Sequence, residues 1–153
     1  MPSTIETTTA QALETALISR ILSIVPSHTS HRSSGWVLSG ENEPAGSGGM
    51  TPRLFYVEIT PGSFVPAGMT GNGDNAVAIG FDVVADYGAF TPRELGTVLE
   101  MDQWDLYDDL NNAINVIPGL LYCELAGEPD PEGDEDSKRF RFPLTLHYLR
   151  ARR

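Results

Sequence analysis

The stretch Ala76-Val-Ala-Ile-Gly-Phe-Asp-Val-Val-Ala-Asp-Tyr87 decides how the rest of the chain must be read. Val77, Ile79, Phe81, Val83 and Ala85 take alternate positions, the period-2 pattern of a strand with one buried face. Upstream, Arg53–Thr60 (RLFYVEIT) is β-branched and aromatic and sets Phe55, Val57 and Ile59 on one side. The two runs pair as an antiparallel hairpin whose tip is long. Residues 61–75 (PGSFVPAGMTGNGDN) read as loop, with Asn72-Gly73 as a hairpin-type turn inside it. Near the other end, Phe140, Phe142, Leu144, Leu146 and Tyr148 alternate with Arg141, Thr145 and His147, a further strand. Pro143 has no N–H to donate, which predicts an edge position or a bulge for that strand. Residues 120–126 supply another strand, joined to it by the acidic loop 127–137.

Two helices complete the pattern. Leu13, Leu17, Ile21 and Leu22 recur at helical spacing, with Ile18 and Val25 beside them. Thr8 is placed to cap this helix with Gln11 as its reciprocal partner, and Pro26 closes it. Thr91-Pro92-Arg93-Glu94 is a second helix start, with a Thr cap, Pro in the first turn and Glu at the third position. A helix over 102–116 continues or restarts from it. Trp104, Tyr107, Leu110, Ala113 and Ile114 form its apolar stripe, with Asp105, Asp108 and Asp109 facing water, until Pro118-Gly119 stops it. Trp36-Val37-Leu38 is a short apolar stretch before a Gly-rich loop at 41–52. The expectation is one α+β domain over 1–153. It has an antiparallel or mixed β-sheet of about four to five strands, with an N-terminal helix and a mid-chain helix packed on it. Long loops lie at 41–52, 61–75 and 127–137.

The charge is lopsided. Twenty-one acidic residues stand against ten Lys and Arg, a formal net charge of −11. A field of that sign repels phosphate backbones and anionic membrane surfaces, which argues against sequence-specific nucleic-acid binding. Six of the ten basic residues (Lys138, Arg139, Arg141, Arg150, Arg152, Arg153) occupy the last sixteen positions, where there is no acid at all. A basic end of this kind can meet a neighbour's acidic face, or be solvated. A single cysteine, Cys123, excludes an internal disulfide, and its apolar surroundings predict a buried thiol. No run reaches the roughly 18 apolar residues of a membrane span, and no basic-plus-apolar leader opens the chain. The expectation is a soluble protein made in the cytoplasm.

The titratable residues offer few candidates for chemistry. His28 and His31 are three apart, but they follow Pro26 in a Ser-rich loop without further ligands, so a zinc site is not expected. His147 reads as an exposed sheet residue. The run Glu128–Asp136 lacks the calcium-loop template, leaving a solvated turn or a face for a basic partner. Asp102, Asp105, Asp108 and Asp109 could pair for acid–base work, but nothing apolar flanks them to shift a pKa, and they read as a solvated face. Nucleophile elbow, P-loop and C-x-x-C motifs are absent from the sequence. The chain is therefore not expected to be an enzyme or to carry a metal or cofactor.

What remains is surface. Loops of the length of 41–52 and 61–75 tend to be functional or disordered. The second carries Phe64, Val65 and Met69, apolar residues that either tuck over their own core or order against a neighbouring subunit. With Arg150, Arg152 and Arg153, these are the candidate interface residues.

The order of elements resembles a family. An amphipathic helix over 10–25 precedes a strand, a loop-tipped hairpin (53–60 with 76–87), a mid-chain helix DQWDLYDDLNNAI (102–114), a Pro-Gly turn at 118–119 and a closing hairpin that ends in FPLTLHYLR (142–150). This is similar to the tail terminator or tail completion proteins of long-tailed bacteriophages. The resemblance implies a structural virion protein of the tail or neck, made in the host cytoplasm and assembled as a homohexameric ring. That ring would cap the tail tube protein, end its polymerisation and join the tail to the head–tail connector protein, with the genome passing through an acidic lumen. It implies no cofactor, no membrane and no residue carried over by motif. Three other readings stay open: another head–tail neck or adaptor component, a small metal-dependent enzyme using His28, His31 and the acidic loop, and an acidic DNA mimic, which the basic end disfavours.

Overall fold

A computed structural model describes residues 8–39, 51–64, 76–114, 116–133 and 138–150, with 61–64 described by their backbone alone. The architecture is α+β: a mixed six-stranded sheet with both helices packed on one of its faces. The strands are β1 (Val37–Leu38), β2 (Leu54–Phe64), β3 (Ala76–Asp86), β4 (Leu120–Leu125), β5 (Asp130–Pro131) and β6 (Arg139–Leu149). Their order is β1-β2-β3-β6-β4, with β5 also on β6; β1 runs parallel to β2 and every other pairing is antiparallel.

The β2–β3 hairpin forms as its alternation requires, with Phe55 opposite Ala85 and Ile59 opposite Phe81. It is longer than the sequence suggests. Pro61 and Gly62 do not end β2. They fall in a register shift between Thr60 and Ser63, after which Ser63 pairs with Ala78 and Phe64 with Val77. A bulge absorbs residues that a ladder cannot use, so a Pro-Gly pair inside a strand need not terminate it. Residues 61–64 of the loop expected over 61–75 are therefore strand, and 65–75 lie outside the described residues.

Pro143 is not on an edge: β6 lies between β3 and β4. In a strand the N–H and C=O of one residue point to the same side, and the Pro143 carbonyl accepts from Ala126 N at 2.9 Å. Its missing donor thus faces β4's side, where the chain leaves β4 at Gly127 before rejoining as β5. A Cβ on Gly127 would sit 3.4 Å from Pro143 Cγ. The proline occupies a natural break in the ladder and removes no bond to β3.

Helix α1 spans Ala10–Ser23. Its cap is Thr9, whose hydroxyl accepts from Ala12 N at 3.1 Å. The expected cap, Thr8, instead donates its N–H to Leu149 O at 2.8 Å and bridges to Arg150. Leu13, Leu17 and Ile21 are buried as expected, but Val25, past the helix, is 72% exposed.

Helix α2 is one unbroken element, Pro92–Asn112. Glu94 accepts from Thr91 N at 2.9 Å, the side chain-to-cap half of a capping box. Its buried stripe is Val98, Asp102, Leu106 and Leu110, spaced by four, with Gln103 beside it. The stripe expected through Trp104 and Tyr107 is displaced: Trp104 is 47% exposed and packs edge-on to Tyr107. The helix meets the core along Val98–Leu110, a seam that runs through an aspartate. Gly96 sits in this helix with open space where a side chain would go. Glycine in a helix costs about 1 kcal/mol relative to alanine, and no contact here demands it.

The core is continuous across both layers, from Leu13, Leu17 and Ile21 through Leu106 and Leu110 to Phe55, Phe81, Phe142 and Leu144. Trp36, ahead of β1, is buried edge-on against Phe55 and Phe142.

Candidate interaction surface

Three groups of polar side chains emerge from this scaffold, and they differ in what can reach them. The first is wholly interior. Arg53 heads β2 with φ of +53°, an αL conformation uncommon outside glycine, which turns its side chain inward beneath α2. Its Nε donates to Asp102 Oδ2 at 2.7 Å and its Nη2 to Oδ1 at 3.2 Å; both side chains are fully buried. Nη1 donates to the carbonyls of Ser30 and His31, and the guanidinium lies 4.9 Å from the Phe90 ring centre. Tyr87 donates its hydroxyl to Asp102 Oδ2 at 2.6 Å. Burial outweighs Arg53 and holds the Asp102 carboxyl above its usual range; burial, with Asp102 beside it, pushes the Tyr87 hydroxyl well up. The expectation that Asp102 is a solvated acid is therefore wrong. Its acidic neighbours on α2 behave differently again, since Asp105 accepts from Ser27 N at 2.9 Å and Asp109 from Arg20 Nε at 3.2 Å. Because Arg53, Asp102 and Tyr87 are all 0% exposed, no substrate can touch them. They pin β2, the 28–31 turn and α2 together.

The second group lies on the sheet face that no helix covers. Arg141, on β6, bonds Glu58 Oε2 at 2.8 Å and Asp82 Oδ2 at 2.7 Å through Nη1. Its Nε and Nη2 hold both oxygens of Glu132 at 2.9 and 3.0 Å. One guanidinium thus joins β2, β3, β6 and the start of the acidic loop. The bonds from Arg141 keep the Glu132 carboxyl below its usual range. The loop expected to be solvated or to face a basic partner is held here by its own chain: β5 pairs with β6, and Glu132 N donates to Arg139 O at 2.7 Å. Alongside, the Arg139 guanidinium lies 5.8 Å from the Tyr56 ring centre. Val84 opposes Tyr56 on one side and Arg141 on the other and is 0% exposed.

The third group is at the β4–β6 end of the same face. His147, expected to be exposed, is 8% exposed. It stacks on Tyr122 at 3.9 Å, and its Nε2 lies 2.6 Å from Glu124 Oε1, while Nδ1 is buried without a partner. Cys123, on the opposite face, is buried as expected, and burial pushes its thiol up to about 12, so it is protonated and inert at neutral pH.

The other sequence candidates are placed unevenly. Among the described residues no group of three or more His, Cys, Asp and Glu side chains could hold a metal ion. His28 Nδ1 accepts from Ser30 N at 3.0 Å, and His31 Nε2 lies 3.2 Å from Ala89 O. Phe64 is the last residue of β2, opposite Val77. Arg150 is exposed just past β6, bridged to Thr8. Val65, Met69, Arg152 and Arg153, and the loop at 41–50, lie outside the described residues. Among the described residues no helix is long and apolar enough to cross a membrane.

Comparison with protein-family models and with curated proteins returns no match.

Proposed function

We propose that the chain is a structural virion subunit of the tail terminator type, a protein that works by assembly rather than by catalysis. Copies join into a ring, in the expected form a homohexamer, that caps the tail tube, ends its growth and meets the head–tail connector. The observation that carries this reading is the sheet's uncovered face. Three of its carboxylates, Glu58, Asp82 and Glu132, are each bonded to Arg141, which ties four segments of chain together rather than aiming them into a cleft. A face tied flat in this way suits a subunit that packs against others. The acidity of the chain as a whole fits a conduit for DNA, since like charge keeps the genome from adhering to the wall.

The test is assembly. Light scattering and negative-stain imaging of the purified protein should give a ring, and the ring should bind the ends of tail tubes and halt their elongation. Binding to the portal-side ring in place of the tube would move the protein to the neck or adaptor position. A protein that stays monomeric at high concentration and binds neither would overturn the reading.

A further inference from the structure

We propose that Asn111 guards a free edge of the sheet: its carboxamide takes the place of a neighbouring strand on β4, and without it that edge pairs with the β4 of a second copy. This role is independent of the ring proposed above, because it concerns where the chain is kept from associating. β4 is the last strand in the sheet order, with β6 on one side of it. Ala126 N donates to Pro143 O, so the backbone groups of Glu124, two residues earlier, face β6 as well. Those of Cys123 point the other way, off the sheet. An edge that presents its N–H and C=O groups is a template for any extended chain.

At Cys123 both groups are already taken. Cys123 N donates to Asn111 Oδ1 at 3.0 Å, and Asn111 Nδ2 donates to Cys123 O at 3.2 Å. One carboxamide thus makes the pair of bonds that an antiparallel partner strand would make there. A bond from Nδ2 to Tyr107 O, at 3.1 Å, ties it to its own helix. Gln103 repeats the device, with its Nε2 donating to Gly127 O at 2.9 Å. Asn111 and Gln103 are eight residues apart on α2, about 12 Å at roughly 1.5 Å per residue. Cys123 and Gly127 are four apart, about 13 Å at roughly 3.3 Å per residue. The spacings match, so α2 runs antiparallel to β4 and closes its edge at two points.

The other end of β4 is protected differently. A register shift between Leu120 and Tyr122 sets a bulge at Leu121, and bulges twist an edge away from a would-be partner. Asn111 therefore holds the middle of a six-residue strand whose two ends are already blunted. Asparagine is a weak helix former, so the helix itself gains nothing from it at this position. The freed edge is complementary to itself. Two β4 strands running antiparallel about a two-fold axis set Cys123 against Cys123, where each N–H meets the other's C=O.

The experiment compares full-length wild type with Asn111→Ala, under conditions where circular dichroism shows both folded. Leu146, on β6 between β3 and β4, is the internal reference for hydrogen exchange. In dilute wild-type protein the Cys123 amide should exchange within about tenfold of the Leu146 amide. In dilute Asn111→Ala it should exchange at least about a hundredfold faster than Leu146, a ratio that a uniform loss of stability does not raise. By analytical ultracentrifugation the variant should self-associate at least about tenfold more tightly than wild type, and association should slow the Cys123 amide again. Asn111→Ser, whose hydroxyl is too short to span both backbone groups, replaces Asn111→Ala should the latter not fold. A fast Cys123 amide in wild type overturns the proposal. So does a folded variant that associates no more than wild type, or one that associates while its Cys123 amide stays fast.

Discussion

Arg53 and Asp102 show what a single residue contributes to this fold. Each charge alone would be ruinous inside a core, and the pair persists because five donor and acceptor contacts, including those to Tyr87, Ser30 and His31, satisfy it. Removing one partner strands the other. Arg53→Met or Asp102→Asn should lower stability by about 3–5 kcal/mol in urea unfolding, whereas the joint replacement Arg53→Met with Asp102→Leu should recover most of that loss. Both charges were legible as interior positions. Arg53 shares the parity of Phe55, Val57 and Ile59, and Asp102 falls four residues from both Val98 and Leu106. Residue type, read before position, hid them. The surface acids obey a different rule. Glu132, bonded by Arg141, and Glu94, bonded by Ser30 and the Thr91 N–H, both have carboxyls held below the usual range. Such groups add stability above their unfolded value, near 4.3, and lose it as pH falls through the lower folded one. Glu94→Gln with Glu132→Gln should therefore melt lower at pH 7 and show a shallower fall in Tm between pH 5 and pH 2. Asp102 has the opposite sign: its raised carboxyl binds a proton more tightly when folded, so its contribution declines as pH rises from the unfolded value.

Elements were readable where one signal dominated and misread where two competed. The alternation in β3 and β6 marked both as strands, because a period of two has no other use over eleven residues, but their pairing with each other was not legible in it. Pro61-Gly62 and Pro143 carried turn and edge signals that long-range pairing overrode, one through a bulge and the other through a gap between β4 and β5. The two strand-and-helix glycines now part company. At Gly80 an added Cβ would stand 3.0 Å from the Thr60 Cβ across the hairpin, whereas at Gly96 it would meet nothing within 4 Å. Gly96→Ala should raise stability by about 0.5–1 kcal/mol and Gly80→Ala should lower it, both readable as shifts in the urea midpoint. A Gly96→Ala protein no more stable than wild type would show that the helix is already strained there.

Across the whole molecule, charge is segregated along the chain and the sheet only partly mixes it. Arg141 returns one basic group to the acidic side, where it bonds Glu58, Asp82 and Glu132. Neutralising Arg150, Arg152 and Arg153 to Gln should weaken self-association strongly in 50 mM NaCl and little in 500 mM, where the Debye length is only a few ångströms. An association constant indifferent to both salt and substitution would reject an electrostatic contact. The segregation is legible along the sequence, but its partial mixing is not: that depends on which residues the pairing of β3, β5 and β6 brings side by side.

The central place of β6 has a further consequence, in time rather than in space. Residues 139–149 are the shared neighbour of β3, β4 and β5, so no more than the β1–β2–β3 part of the sheet can exist before they are synthesised. Until then Ile79, Phe81 and Val83 have no partners from β6, and the nascent chain presents an apolar, unpaired edge along eleven residues of β3. Closure must wait for contacts far apart in sequence, which makes folding late and slow. A fragment ending at residue 138 should aggregate rather than fold, and the intact chain should show its strongest demand for chaperones in the interval before its last strand emerges.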